Sequence, residues 1–491
     1  MYLLGIDIGT SSIKVAVVEV ATQKCVASAQ YPEQETEIKS VKAGWAEQSP
    51  LDWWQNAQQA ILKLNDGNQF DPKEIKAIGI AYQMHGLVVV DKHQEILRDS
   101  IIWCDSRAVE TGEKAFDTIG HEKSLSHLLN SPGNFTASKL AWVKENEPET
   151  YQKIDKMMLP GDFIAMKLTG EITTSISALS EGILWDFKNH EISKDIMDCY
   201  QLSEDLIPEL RPLFSVHGNL KVDIALELGL TAGIPVAYKS GDQPNNALSL
   251  NVLKPGEVAA TAGTSGVIYG VSDSLTYDQQ SRVNTFAHVT YSEENKNTGV
   301  LLCINGTGSM YRWAKHNFAP SSSYEELNKL AAKAPIGSKG LMVLPFGNGA
   351  ERMLNNKYTG AQLLGIDLNV HTQADIFRAV QEGIAFAFRY GLDIMRENGM
   401  EPKVIRAGRA NLFLSDLFAQ TFVDVTGIAV ELYENDGSVG AALGAGIGAG
   451  IFSSAEDAFT KYEVIKTLVP QNTKAYEPFY QEWKKILIKS L

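Results

Sequence analysis

Apolar residues at the start of the chain follow strand spacing. Leu3 to Val20 reads as a strand, a tight turn from Gly9 to Ser12, then the β-rich run Ile13-Lys14-Val15-Ala16-Val17-Val18-Glu19-Val20. This predicts a β-hairpin with hydroxyls at its tip. The apolar run Ile75 to Tyr82 predicts a second strand, which delivers Gln83-Met84-His85-Gly86 at its end, before a further strand over Leu87 to Val90. A polar cluster therefore sits where a strand stops. Helical spacing covers Ser138 to Glu147 and the stretch around Leu159 to Leu168, and then the opening pattern returns. Ile234 to Tyr238 leads into Ser240-Gly241-Asp242-Gln243, and Val258 to Thr261 leads into Gly263-Thr264-Ser265-Gly266 and the strand Val267-Ile268-Tyr269. The triplets Gly9-Thr10-Ser11 and Gly263-Thr264-Ser265 are identical, and each precedes a β-rich run, which predicts a duplicated domain with a boundary near residue 247. Gln373 to Asn398 predicts a helix, Val404 to Ala407 a strand, and Gly408 to Asn411 a turn. The small-residue run from Asp436 to Gly450 predicts a helix packed closely on a neighbouring element or a nucleotide.

Composition narrows the class. At 491 residues, two domains with a cleft between them are expected. The hydrophobic fraction of 44% and charged fraction of 21% are those of a folded globular protein. A net charge of −15 argues against a sequence-independent nucleic-acid binder, so no nucleic-acid partner is expected, and a phosphate site must rely on local dipoles and a cation. Cys25, Cys104, Cys199 and Cys303 lack metal or redox spacing and read as buried thiols. No run reaches membrane-spanning length, and Asp7 interrupts the first apolar run before a signal peptide could form. A cytoplasmic protein without a membrane partner is expected.

The two tips have the chemistry of phosphate grips. Glycine lets backbone approach a phosphate, while Thr and Ser hydroxyls and consecutive N–H groups supply donors. Two such turns suffice for one triphosphate. Asp242, just past an apolar strand, is either a turn residue capping a helix that starts near Pro244 or the carboxylate that deprotonates an attacking hydroxyl. Asp7 beside the first turn either closes the hairpin or holds Mg²⁺ against phosphate oxygens. Lys14 either offsets phosphate charge or is a solvated strand residue. Gln83, Met84 and His85 offer a mixed polar and apolar surface suited to a sugar, with a structural histidine and a core methionine as the plain alternative. Trp45, Trp103, Asp105 and Arg107 are further candidates there, while Trp53 and Trp54 read as helix packing.

Together, Asp7 to Ser12, Gly44-Trp45-Ala46-Glu47-Gln48, Gln83-Met84-His85-Gly86, Phe135 to Val143, Gly241-Asp242-Gln243 and Gly263-Thr264-Ser265-Gly266 resemble the FGGY family of carbohydrate kinases over nearly the whole chain. The resemblance implies an α/β fold of two related actin-like ATPase (ribonuclease H-like) domains, 1–247 for the sugar and first phosphate turn and 248–491 for ATP, with an interdomain cleft. It implies ATP with Mg²⁺ and a small-molecule sugar, D-xylulose phosphorylated at its 5-hydroxyl, with gluconate, ribulose or fuculose as alternative acceptors. For a sugar acid, Lys239 or Arg107 offers the basic residue. A non-catalytic sensor on the same fold is the alternative from another class. The implied base is Asp242; Gln83, Met84, His85 and Gln243 line the sugar; Gly9, Thr10, Ser11, Ser12, Lys14, Gly263, Thr264, Ser265, Gly408 and Asn411 serve the nucleotide; Asp7 lies near the metal. A homodimer is also implied. The chain departs from the family pattern at Gly408-Arg409-Ala410-Asn411, where glycines are usual, and at Gly349 to Met353.

Overall fold

Strands Tyr2–Ile8 and Ile13–Glu19 pair antiparallel with Asp7 opposite Lys14 and Ile8 opposite Ile13, which leaves Gly9 to Ser12 as the predicted tip. A Cβ on Gly9 would lie 2.9 Å from the Ser12 carbonyl, so glycine is what this turn accepts. The structure is a computed structural model describing residues 1–491. Ile75–Tyr82 runs parallel to the first strand, and Pro235–Gly241 runs parallel to it in turn. Ile8 and Gly241 both register with Tyr82. Gly9, Gln83 and Asp242 consequently leave the sheet side by side, beyond the carboxyl ends of parallel strands, where ligands of open α/β sheets bind.

The small-residue run forms the helix Gly437–Gly448, which packs on this sheet. Its backbone approaches so closely that a Cβ on Gly5 would fall 1.7 Å from the Ser438 carbonyl oxygen, and one on Gly79 1.9 Å from that of Ala441. The other sheet face is covered by Pro50–Asp66 and Pro160–Thr169, whose Trp53, Ile61, Phe163 and Leu168 are buried with Ile6, Val15 and Ile80. Trp53 and Trp54 are indeed packing residues.

In the second unit the strand order Thr298–Ile304, Gly266–Ser272, Glu257–Ala262, Val404–Gly408, Val430–Tyr433 repeats the first unit's order Lys24–Tyr31, Ile13–Glu19, Tyr2–Ile8, Ile75–Tyr82, Pro235–Gly241. The antiparallel hairpin followed by parallel partners recurs as well. Gly263 to Ser265 form the equivalent tip. The helix Gln373–Glu397 runs as the periodicity predicts and buries Phe377, Ile384, Phe388 and Leu392.

The units are not contiguous in sequence. One comprises Met1–Leu253, Phe286–Thr298 and Asp436–Tyr462; the other comprises Lys254–Thr285, Gly299–Asn435 and Glu463–Leu491. A single cut at residue 247 assigns the 286–298 and 436–462 segments to the second half, whereas the helix Gly437–Gly448 packs on the first sheet. The cysteines also differ from expectation. Cys25, Cys104 and Cys303 are exposed and Cys199 is half-buried, Cys25 because its strand is the outermost of the first sheet. No helix is long and apolar enough to cross a membrane.

Candidate active site

Asp242 opens the helix Asp242–Ser249, with Gly241 at the cap position and no side-chain capping bond. Asp242 thus stands at the first helical position, one residue inside the cap. Its carboxylate accepts hydrogen bonds from the backbone and side chain of Gln243, which lower its pKa, but burial and the nearby Asp7 charge outweigh them and push it up to about 7. Burial and the Asp436 charge likewise raise Asp7 to about 6, with Lys14 opposing them. Asp436 caps the helix Gly437–Gly448, accepting from the Ser438 N–H at 2.8 Å. Three carboxylates thus share one field beside the first tip. Each of Asp7 and Asp242 keeps part of its residue surface open.

The tip is braced from the side. The Gln83 amide is committed to it, accepting from Thr10 Oγ1 at 3.2 Å and donating to Gln48 Oε1 at 3.2 Å, while Gln48 Nε2 donates to the Thr10 carbonyl at 2.8 Å. Trp103 donates to Thr10 Oγ1 at 3.0 Å. Ser11 and Lys14 are exposed, and Ser12 is half-buried. Met84 is buried against Gly241, where a Cβ would meet its Cγ at 2.6 Å. The His85 ring packs edge-on to Phe135, with centroids 4.8 Å apart.

Two cations named for a sugar acid are spoken for. Arg107 pairs with Asp105 and Glu47, both at 2.7 Å, and lies 3.8 Å over the Trp45 ring, with its side chain 1% exposed. Lys239 pairs with Asp162 at 2.6 Å and donates to the Thr173 carbonyl, and it is buried. Neither is available to a substrate carboxylate, which corrects that expectation. Asp105, Arg107 and Trp45 form a structural cluster instead.

In the second unit a cavity of about 840 Å³ opens beside the other tip, within the size range of small-ligand sites. Gly263, Thr264 and Asn411 line it, as do Gly308, Tyr311, Arg312, Asn328 and Lys329; Gly408 and Ser265 do not. The first N–H groups of the helix Gly308–Phe318 donate to the Gly263 and Thr264 carbonyls at 2.9 and 3.0 Å, which fixes the tip's shape. Sequence reasoning missed this wall. The Asn305-Gly306-Thr307-Gly308 turn that closes the strand Thr298–Ile304 was the available signal.

No cluster of three or more His, Cys, Asp or Glu side chains is placed to hold a metal ion. One or two carboxylates without a protein cage suit Mg²⁺, which keeps several waters and completes its shell with substrate phosphates. Asp7 fits that demand.

The model of the FGGY family of carbohydrate kinases, N-terminal domain, matches residues 2–249, and that of the C-terminal domain matches residues 258–451. The chain is 30% identical to a xylulose kinase of Bacillus subtilis over 99% of its own length and 96% of the relative's. It is 29% identical to a xylulose kinase of Escherichia coli over 99% and 98%. The crystal structure of a xylulose kinase from Rhodospirillum rubrum superposes with a TM-score of 0.88, at 25% identity over 100% of this chain and 99% of that one.

Proposed function

The chain belongs to the FGGY family of carbohydrate kinases and is an ATP-dependent sugar kinase; from that premise we propose that its acceptor is D-xylulose, phosphorylated at the 5-hydroxyl with Asp242 as general base. The observation that carries the reading is the position of Asp242, one residue beyond a strand end, level with the Gly9 tip and next to Met84. A carboxylate with a pKa near 7 is matched to proton abstraction at neutral pH. Gln243, donating to that carboxylate, orients it toward the acceptor, and Met84 and His85 supply apolar and imidazole contacts to the sugar.

In the reaction the Asp242 carboxylate takes the proton of the 5-hydroxyl as its oxygen bonds to the γ-phosphorus. The bond from that phosphorus to the β–γ bridging oxygen breaks, and ADP leaves. Positioning and charge neutralisation do most of the work, because the transferred phosphoryl group needs little covalent help. Gly9, Thr10, Ser11 and Ser12 present N–H and hydroxyl donors to phosphate, with Lys14 adding positive charge. Asp7 would hold Mg²⁺, which neutralises phosphate charge when bound. The cavity beside Gly263 and Thr264 takes the nucleotide, with Asn411 as a polar contact. The burial of Arg107 and Lys239 in ion pairs favours a neutral sugar over gluconate.

A coupled ADP-release assay with Mg-ATP and D-xylulose, D-ribulose, L-ribulose, L-fuculose, glycerol and D-gluconate tests this reading. Strong preference for D-xylulose supports it. Preference for another sugar retains the kinase and discards the acceptor, and no turnover on any of them points to a sensor.

A further inference from the structure

Beneath Met84 and His85 lies a carboxyl that the chemistry above does not use. Glu181 ends the helix Ile176–Glu181 and is 1% exposed. Its Oε1 accepts from the Tyr82 hydroxyl at 2.6 Å and its Oε2 from the His85 N–H at 3.3 Å. Its main-chain carbonyl lies 3.0 Å from His85 Nδ1. A Cβ built on Gly241 would stand 3.2 Å from Glu181 Oε2, so the same carboxyl abuts the residue that precedes Asp242.

His85 needs such support. Its φ of 63° lies in the left-handed region, which non-glycine residues seldom adopt. Glu181 holds its N–H, and Lys139, fully buried, donates to its carbonyl at 2.8 Å and to that of Ile102 at 3.0 Å. Both main-chain polar groups of this strained residue are thereby fixed by side chains from other segments.

We propose that Glu181 is a positioning residue for the acceptor sugar, holding the His85 ring and the Gly241–Asp242 backbone in register with one another. The inference rests on the reading that His85 and Asp242 serve the sugar. Burial and the neighbouring Asp242 charge raise the Glu181 carboxyl well above the usual range, and a glutamine in its place keeps one oxygen to accept from the His85 N–H while its NH₂ donates to the Tyr82 oxygen. Its amide analogue is therefore expected to substitute for it.

The test is two-substrate steady-state kinetics of Glu181→Ala, Glu181→Gln and Glu181→Asp. Removal of a buried hydrogen-bonding hub is expected to raise the sugar KM about tenfold, with the ATP KM unchanged. Glu181→Gln recovers most of the loss. Glu181→Asp retains the carboxyl group but falls a methylene short, so it behaves like the alanine variant and stands in for it if that protein does not fold. Equal changes in both KM values, or no change in either, overturn the proposal, as does a glutamine variant as impaired as aspartate. The wild type on the sugar panel separates the two claims. If it prefers another sugar, the D-xylulose reading fails while the KM split is read with that sugar; if it takes D-xylulose and the split is missing, only the Glu181 proposal fails. No turnover on any sugar overturns both.

Discussion

The two Gly-Thr-Ser tips occupy the same place in two sheets of the same strand order, yet their surroundings differ in charge. Two residues before the glycine stands Asp7 in the first and Thr261 in the second. Asp7, Asp242 and Asp436 give the first tip a negative field, and burial with mutual repulsion raises Asp7 and Asp242. The second tip borders a cavity whose walls carry Arg312 and Lys329 together with Glu325 and Asp416, Lys329 pairing with Glu325 at 2.6 Å, and the amides of Asn328 and Asn411. A duplicated backbone thus keeps its turn, and under the proposed function the flanking side chains divide the labour. Carboxylates suit proton abstraction and a cation; a roomy cavity of balanced charge with amide groups suits the nucleotide.

The largest break in that division comes from Asp242→Asn. Loss of a general base costs about 10²–10⁴ in kcat, while nucleotide binding measured by calorimetry is expected to remain. Near-normal turnover would remove the first tip from the chemistry. Asp7→Asn ranks next. Loss of a carboxylate that holds a divalent cation is expected to lower kcat/KM by about 10–100-fold at limiting Mg²⁺, with partial recovery as Mg²⁺ rises. A magnesium titration that leaves the defect untouched would contradict that role.

Asn411→Ala sharpens the comparison from the other side. One lost polar contact, worth about 0.5–1.5 kcal/mol, raises the ATP KM about 2- to 13-fold without changing the sugar KM; a shift confined to the sugar would reverse the assignment.

The smallest effect is on stability. Asp242 is raised from 3.8 to about 7 on folding, so between those values the folded protein retains a proton that the unfolded chain has lost, and stability falls as pH rises through this window. An amide at this position lacks that penalty. After allowance for the partial exposure of the residue, Asp242→Asn is expected to gain about 1–2 kcal/mol at pH 8, a Tm increase of a few degrees that vanishes by about pH 4. Thermal melts at the two pH values read it directly.

Much of the scaffold was legible because local pattern and tertiary role coincide. Ile75–Tyr82 and Gln373–Glu397 bury the faces their spacing marks. The tips were legible as turns because glycine beside hydroxyl residues at a strand end marks a tight turn, whereas Asp242 in the sequence alone was open to a capping role as well as a catalytic one. The rest depended on partners distant in sequence. Glu181 meets Tyr82 from 99 positions away, at what reads as an ordinary helix end. Lys239 looked like a free cation until Asp162, 77 positions away, neutralised it. The cavity wall from Tyr311 to Lys329 comes from amphipathic helices, whose periodicity reports the buried face and says nothing of what the other face lines.

The most direct test of the central claim is the pH dependence of kcat/KM for the wild-type protein with its preferred sugar, from about pH 5.5 to 8.5. A base in the Asp242 environment predicts activity that rises with pH through about 7 and levels off above it, since only the ionised carboxylate accepts the proton. A profile flat across that range would contradict Asp242 as the base and, with it, the division of labour between the two tips.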